Sequence, residues 1–329
     1  MRRTGRQGRV RGLAAALLAL AGWADAAATG DSPACPPAPE PLTAAQWQDG
    51  QAQPVDRGLL WRLARDGRVS YLYATVHLAR RDWIFPGPQV RAALAAVDRV
   101  ALELDLLDPA LQARLQRAVE ARPGAPALPA TLARRLRQAA GQACATAQIA
   151  GLRPELQVVT LVSLALRHDG LDPAWGVDVW LARLAHERRL EVVSLETPEQ
   201  QVALLASERP AETAEVVRRG LDELARPASV QLVHRLVDAW AAGRFDELED
   251  FPRWCACLDG EDERAQHRRT VEARNPAMAE RIAALHAGGQ AVFAAVGALH
   301  MVGPDGLPAL LARQGFEVRR VPVGATSPP

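Results

Sequence analysis

Four apolar segments of this 329-residue chain each close on an ionisable residue. They are SYLYATVH at His77, RVALELD at Glu103, EVVSLE at Glu196 and VFAAVGALH at His300. A strand that is buried on both faces reads as a continuous apolar run, and a charged side chain inside it is costly. Ligands of open sheets with helical connections collect beyond the carboxyl ends of the strands. The four residues are therefore predicted to form one polar cluster above one hydrophobic sheet.

Residues 1–26 have the pattern of a secretory signal peptide. An arginine-rich start precedes the apolar segment LAAALLALAGWA, and Ala24-Asp25-Ala26 matches a small-x-small cleavage site. The apolar segment is shorter than the roughly 20 residues that a membrane span needs, and no later uncharged segment is longer. The sequence predicts a periplasmic or secreted protein without a membrane span in the mature chain.

Composition narrows the choice of partner and of compartment. The formal net charge is +1 and no arginine cluster is interleaved with aromatic residues, so nucleic acid is not expected as a partner. Four cysteines in an oxidising compartment predict disulfides, but three pairings of Cys35, Cys144, Cys255 and Cys257 are open. Cys255-Ala256-Cys257 could instead hold a soft metal, although no second Cys/His pair lies nearby at zinc-site spacing.

The remaining chain is predicted to contain a leader and one folded domain. Residues 27–57, rich in Pro, Ala and Gln, predict an extended leader, and residues 58–325 predict a single α/β domain. Asp66-Gly67 between two apolar runs predicts a tight hairpin. Helical spacing dominates residues 109–190 and 198–288, and FEVRRVPV predicts an edge strand. The expected fold is a mixed central β-sheet flanked by helices, with long helical insertions between strands. Along the chain the strands end on His, Glu, Glu and His, and this mirrored order suggests that the domain could consist of two related halves.

His77, Glu103 and His300 form a donor set for a divalent metal. Two imidazoles and a carboxylate leave a position open for water, whose pKa a metal lowers to ~7. Glu196 could then act as a base or orient a ligand. Singly, each histidine could be a buried hydrogen-bonded residue and each glutamate the partner of an arginine. The repetition at four strand ends favours a site.

The other five histidines are predicted to be surface residues on polar helix faces or at helix ends: His168, His186, His234, His267 and His286. His186-Glu187 begins like a metalloprotease helix, but Leu190 stands where the second histidine would be. No Gly-x-Ser-x-Gly elbow, phosphate loop or dinucleotide fingerprint is present in the sequence. Serine hydrolase chemistry is therefore not expected.

Several strings of this sequence resemble the TraB/GumN family, which includes the Tiki proteases and is distantly similar to ChaN-like and erythromycin-esterase-like proteins. Between about residues 58 and 323 the matching strings are LLWRL with YLYATVH, VALELD, Gly176-x-Asp178, SLETPEQQ, Arg274-Asn275 and VGALHMVGPDGLPALLARQGFEV. The family signature is a pair of G-x-x-H motifs plus a glutamate, which Tiki members use for metal-dependent proteolysis. The resemblance implies that His77, Glu103 and His300 hold the metal, with Glu196 and Arg274 as further candidates.

One position departs from the signature, because Ala74 replaces the glycine of the first G-x-x-H motif, whereas Gly297 keeps it in the second. Glycine is required where the backbone approaches closely or takes a positive φ. Either this strand end tolerates a methyl group, or the site is altered here.

Two hypotheses follow from the residues and the resemblance. The first is an exported metal-dependent hydrolase, a peptidase using Mn, Co or Zn on a peptide or protein substrate, in which Glu103, Glu196 and Arg274 take part in catalysis. Arg274 would hold a substrate carboxylate or a developing oxyanion, or else pair with a strand-end glutamate. The second is a non-catalytic protein of the same fold that sequesters a peptide or haem through His77 and His300.

Overall fold

A six-stranded mixed β-sheet forms the centre of the computed structural model, which describes residues 35–322. Its strands are β1 (Leu60–Arg65), β2 (Arg68–Thr75), β3 (Arg99–Leu102), β4 (Glu191–Ser194), β5 (Val292–Gly297) and β6 (Glu317–Val321). Their order across the sheet is β4-β3-β5-β2-β1-β6. Pairing is parallel between β4 and β3, β3 and β5, and β5 and β2. The carboxyl ends of these four strands therefore meet at one edge of the sheet.

Helices fill the connections between the strands, as the apolar spacing predicts. Their bounds are α1 (Ala44–Ala52), α2 (Pro88–Ala95), α3 (Pro109–Val119), α4 (Ala130–Gln142), α5 (Thr146–Ile149), α6 (Pro154–Ala165), α7 (Val177–Glu187), α8 (Pro198–Leu205), α9 (Pro210–Leu224), α10 (Pro227–Ala241), α11 (Phe245–Glu249), α12 (Phe251–Trp254), α13 (Glu261–Thr270), α14 (Asn275–Ala287) and α15 (Leu307–Arg313). The predicted α/β class, with helices flanking a mixed sheet and long helical insertions, is confirmed.

The first hairpin forms at the predicted turn. Asp66 and Gly67 have φ angles of 51° and 73°, and β1 pairs with β2 on either side of them. Positive φ at both central residues is what a type I′ turn requires. The predicted edge strand is also present, since β6 pairs with β1 and is the last strand in the sheet order.

The predicted extended leader contains a helix. Thr43 accepts a hydrogen bond from the backbone of Gln46, and the Gln46 side chain accepts one from the Thr43 backbone, so α1 begins with a capping box. Trp47 then packs edge-on against Phe85 and Trp180, at ring-centroid distances of 5.3 and 5.4 Å. The composition of residues 27–57 indicates an extended chain, but local capping and aromatic packing order this part of it.

Two disulfides join the four cysteines, as Cys35–Cys144 and Cys255–Cys257. The first ties the leader to the end of α4. The second closes the short Cys-Ala-Cys segment, so the structure has no thiols there to hold a soft metal. Disulfides point to an oxidising, extracellular compartment. The predicted signal peptide lies outside the described residues, and within 35–322 none of the helices is long and apolar enough to span a membrane.

Two of the five histidines predicted at the surface are buried instead. His286 is fully buried, its Nδ1 2.8 Å from Ser70 Oγ and its Nε2 3.0 Å from the Arg65 carbonyl oxygen. His267 is 9% exposed. Both occupy polar-looking helix positions, but the sheet covers His286 and the ring of Phe251 stacks on His267. Amphipathic spacing alone could not reveal those tertiary contacts.

Candidate functional site

The sheet order brings the four strand-end residues side by side. Glu196 follows β4, Glu103 follows β3, and His77 follows β2, while His300 lies in a 3-10 helical turn after β5. Because β4, β3, β5 and β2 are neighbours with a common direction, their ends place the two glutamates next to the two histidines. The structure thus contains the predicted polar cluster at the carboxyl edge of the sheet.

Glu103 is the buried centre of this cluster. Its Oε1 accepts a hydrogen bond of 2.8 Å from the backbone N–H of Gly297. Its Oε2 accepts from Arg274 Nη2 at 2.5 Å and from Gln201 Nε2 at 3.2 Å. Burial would raise the pKa of this carboxyl, but the guanidinium of Arg274 and the nearby imidazoles outweigh burial and hold the pKa well below its usual range.

His77 is held at one ring nitrogen and open at the other. Its Nδ1 donates a hydrogen bond of 3.0 Å to Asp178 Oδ2 at the start of α7. Its Nε2 lies 3.9 Å from Glu103 Oε1. Burial alone would lower the pKa of His77, but the charges of Asp178 and Glu103 outweigh burial and raise the pKa to about 9. His77 therefore presents Nε2 toward the Glu103 carboxylate.

His300 is anchored in a similar way. Its Nδ1 donates to Asn275 Oδ1 at 2.5 Å, and Asn275 donates in turn to the carbonyl oxygen of Asp305 at 2.7 Å. Its Nε2 accepts a hydrogen bond of 3.1 Å from Arg274 Nη1. Burial and the positive charge of Arg274 lower the pKa of His300 to about 3. The ring is therefore neutral, with its Nε2 lone pair directed at Arg274.

Arg274 joins the two glutamates and His300, and every one of its N–H groups is used. Nε donates to Glu196 Oε1 at 2.8 Å, and Nη2 donates to oxygens of both Glu103 and Glu196. Nη1 donates to the carbonyl oxygen of Thr270 at 2.9 Å and to His300. A guanidinium has five N–H groups, and each one here has an acceptor. Two roles were predicted for Arg274, binding of substrate or pairing with a strand-end glutamate. In the structure it pairs with both strand-end glutamates, Glu103 and Glu196.

The space above Gly297 is where the three predicted metal ligands converge. A methyl group placed on Gly297 would lie 3.2 Å from Glu103 Oε1, 3.6 Å from His300 Cδ2 and 3.7 Å from His77 Nε2. These are the three nearest atoms to that point. Glycine in the second G-x-x-H motif therefore keeps this space open, because a side chain at this position would enter the space that the three residues share.

Ala74, at the matching position of the first motif, has a different environment. Its side chain is fully buried in the hydrophobic core of the sheet, and its carbonyl oxygen accepts a hydrogen bond of 2.8 Å from Trp240 Nε1. Its φ is not in the positive range that favours glycine. The departure from the family signature is therefore tolerated, because the extra methyl group packs in the core.

The chemistry of the donors fits a divalent cation, although the cluster does not form a closed metal site in this arrangement. Among residues 35–322 no group of three or more His, Cys, Asp or Glu side chains has metal-binding geometry, and Arg274 hydrogen-bonds to the Nε2 of His300. The space above Gly297 nevertheless borders two imidazoles and a carboxylate, which suit Mn, Co and Zn. The carboxylates of Glu103, Glu196 and Asp178 carry three negative charges against two positive ones, on Arg274 and on His77, whose raised pKa keeps it protonated in the metal-free protein. A cation that displaces the His77 proton would meet an excess of two negative charges.

An apolar cleft opens beside the cluster. Its floor consists of the strand-end segments 75–78 and 297–300, and its wall is one face of α10 together with Val271 and Arg274. His77 and His300 both line it. A ligand in this cleft would therefore lie against the imidazoles of the cluster.

Three further residues hold the site in place, and the sequence patterns did not assign these roles to them. Asp178 orients His77, Asn275 orients His300, and Gln201 Nε2 donates to both Glu103 and Glu196. All three lie within strings that match the family: Gly176-x-Asp178, Arg274-Asn275 and SLETPEQQ. Their polar side chains at or near helix starts were the available signal.

The fold and the cluster define an α/β protein with a His- and Glu-rich site at the carboxyl edge of a largely parallel sheet. The sequence model of the TraB/PrgY/gumN family matches residues 59–320, and the chain belongs to that family. This confirms the resemblance found in the sequence. No match was found among curated proteins or among solved structures.

Proposed function

We propose that this chain is an exported metal-dependent hydrolase, acting on peptides or proteins, in which His77, Glu103 and His300 hold a divalent cation such as Mn, Co or Zn. The observation that carries the proposal is the point above Gly297, which lies within 3.7 Å of Glu103 Oε1, of His77 Nε2 and of His300 Cδ2, the ring carbon bonded to Nε2. Three protein ligands leave a coordination position open, as hydrolytic sites require. A bound cation would lower the pKa of a water molecule and polarise the substrate carbonyl.

The second layer of the cluster supports this role by orienting the imidazoles. Asp178 accepts the Nδ1 proton of His77, and Asn275 accepts that of His300, so Nε2 is the nitrogen of each ring that could serve as a ligand atom. Metal binding would displace the Nε2 proton of His77 and the hydrogen bond from Arg274 to His300. Hydrogen-bonded carboxylates and amides at the other ring nitrogen are a common feature of metal sites, where they fix the tautomer and the ring orientation.

Arg274 and Glu196 take a positioning role in the proposed site. Arg274 offsets part of the negative charge of Glu103 and Glu196 and, through its Nη2, fixes the carboxylate of Glu103. It must give up one of its five hydrogen bonds, the one to His300, to leave that Nε2 free. Glu196 then keeps the guanidinium in place, because it accepts from both Nε and Nη2. The role of Glu196 as a base, expected from the sequence, would require it to release one of these bonds.

The proposal is tested by metal content and peptide cleavage in a matched pair of variants. Glu103→Gln removes the central charge, whereas Glu317→Gln makes the same change on the exposed strand β6. After reconstitution with Mn²⁺, Co²⁺ or Zn²⁺, we expect stoichiometric metal and cleavage of a peptide library in wild type and Glu317→Gln, and neither in Glu103→Gln. Failure of every metal to bind, or equal cleavage by wild type and Glu103→Gln, would contradict the proposal.

The apolar cleft favours a second candidate function, the binding of a peptide or haem without turnover. In that case His77 and His300 would contact the ligand and α10 would cover its apolar part. A Soret absorbance change on adding hemin, lost in His300→Gln but kept in the exposed-residue control His168→Gln, would favour haem binding. Peptide binding with no cleavage under any metal would favour peptide sequestration.

A further inference from the structure

The wall of the cleft has the character of a side-chain subsite. Leu232, Val233, Leu236 and Val237 follow a spacing of i, i+1, i+4 and i+5 along α10, which places them on one helix face. Leu299, the residue before His300, lines the same cleft. The cleft has a volume of about 80 Å³. This is well below the roughly 300–1,000 Å³ of pockets that enclose a whole ligand, so the cleft suits one side chain of a larger ligand.

The ionisable residues that line the cleft all belong to the polar cluster and already have hydrogen-bond partners there. Its ionisable lining residues are His77, Arg274 and His300. Every donor of Arg274 has an acceptor, and each histidine is tied at Nδ1. Among the described residues the rest of the lining is apolar apart from Thr75 and glycine. A charged side chain would find no partner along α10, so an uncharged apolar group is the chemistry that this wall accepts.

The wall is supported from behind by a second small core. Leu232 packs with Phe251 and with the disulfide-bonded Cys255 and Cys257, and Leu236 and Leu299 lie partly buried against the same cluster. Support of this kind holds the lining side chains in defined positions. Leu236 and Leu299 are both only partly buried, so they are the lining leucines that a ligand can reach.

Thr75 adds a polar group to the floor. It is 1% exposed, it lines the cleft, and its hydroxyl has no hydrogen-bond partner among the described residues. An unpaired buried hydroxyl costs about 1–3 kcal/mol. Thr75 pairs with Gly297 in the β2–β5 ladder, and both residues line the cleft.

We propose that the cleft receives an aliphatic or aromatic side chain of a peptide substrate, next to the bond that is cleaved, with Leu236 and Leu299 setting the size that is accepted and Thr75 hydrogen-bonding to the peptide backbone. The enzymatic part of this proposal rests on the hydrolase function proposed above. Binding of the apolar side chain does not, because it requires only the cleft.

The first test measures cleavage specificity. With wild type, we expect peptides carrying Leu, Met or Phe at one position beside the cleaved bond to be preferred over Gly or Asp by roughly ten- to a hundredfold in kcat/KM. Leu236→Trp fills the cleft and should shift the preference to smaller side chains, whereas Leu236→Ala should shift it to larger ones. Leu310→Trp, at a partly buried leucine of α15 outside the cleft, should leave the preference unchanged.

The second test measures binding without catalysis. N-acetyl-leucine amide, N-acetyl-phenylalanine amide and N-acetyl-glycine amide are titrated into metal-free protein and followed by NMR. We expect the leucine and phenylalanine amides to bind at least about tenfold more tightly than the glycine amide, and Leu236→Trp to abolish the difference while Leu310→Trp keeps it. Leu299→Ala serves as a second cleft variant, with circular dichroism as the check on folding.

Thr75→Val separates the ligand role of the hydroxyl from a structural one. Since the hydroxyl has no partner, its replacement by a methyl group of similar shape should leave the melting temperature unchanged or raise it. Binding of N-acetyl-leucine amide should weaken roughly three- to tenfold. A clear fall in melting temperature with unchanged binding would overturn this role.

The outcomes separate the subsite from the proposed enzyme. If no peptide is cleaved but the amides bind with the expected preference, the subsite stands and the hydrolase proposal fails. If peptides are cleaved without regard to apolar side chains, or if Leu236→Trp binds all three amides as wild type does, the subsite proposal is overturned whatever the activity.

Discussion

Two substitutions that each change a single methyl group, at the equivalent positions 297 and 74 of the two G-x-x-H motifs, test how the site is built. Gly297→Ala adds a methyl group at the point within 3.2–3.7 Å of Glu103, His300 and His77. Ala74→Gly removes a methyl group from the fully buried first motif and restores the family glycine. The two substitutions change the same chemical group at the ends of neighbouring parallel strands, β2 and β5. They should therefore differ in metal binding much more than in stability.

The magnitudes follow from the contacts. In Gly297→Ala, Glu103 Oε1 must move by a few tenths of an ångström to relieve the 3.2 Å contact, which costs on the order of 1 kcal/mol in stability. Ala74→Gly loses a buried methyl group and gains backbone freedom, at a cost of about 1–2 kcal/mol. Ligand bonds of ~2 Å leave no room for a carbon at the centre of the ligand space, so Gly297→Ala should lose at least about a hundredfold in metal affinity.

The assay compares the two variants by urea unfolding and by titration with Co²⁺, followed by its visible absorption. Wild type and Ala74→Gly should bind Co²⁺ alike, and Gly297→Ala should remain folded without binding it. Wild-type Co²⁺ affinity in a folded Gly297→Ala variant would refute the placement of the metal. A loss of binding in Ala74→Gly would show that the first motif position takes part in the site after all.

Further predictions concern pH and charge in the metal-free protein. The folded-state pKa of His77 is raised to about 9, so the contribution of its charge to stability should be present below about pH 6.5 and lost as pH rises through 9. The stability advantage of wild type over His77→Gln should therefore shrink over that window by roughly 3 kcal/mol. His300 should show the opposite pH dependence. Its folded-state pKa is about 3, so wild type should lose stability relative to His300→Gln as pH falls from about 6.5. Urea unfolding of wild type and the two variants from pH 4 to 9.5 would refute both histidine predictions if the stability curves were parallel. Arg274→Gln should cost about 3–5 kcal/mol in the same measurement because it leaves Glu103 and Glu196 buried without their cation, and an additional Glu196→Gln substitution should recover part of the loss.

The strand framework of the site could be predicted because it depends on local patterns. The apolar runs before His77, Glu103 and His300 have the composition of buried parallel strands, and charges follow them where burial ends. Asp66-Gly67 imposes its turn through backbone preference alone. Parallel pairing then brings the strand ends together without any further information about side chains.

The partners within the site depend on tertiary packing and were harder to predict. Gln201 contacts both glutamates because α8 begins just after Glu196, and Asn275 reaches His300 from the start of α14. The same limit applies to His286, whose polar-looking helix position is covered by β2. Sequence spacing specifies a helix face, but not what packs on it.

The central claim is that a divalent cation binds where His77, Glu103 and His300 meet above Gly297. Anomalous diffraction from crystals soaked in Mn²⁺ or Co²⁺, recorded at the absorption edge of the metal, tests it most directly. We expect a peak about 2.0–2.2 Å from Glu103 Oε1 and from Nε2 of both histidines, with Arg274 Nη1 moved away from His300. Strongly bound metal elsewhere and none at this point, with the hydrogen bond from Arg274 to His300 intact, would contradict the account.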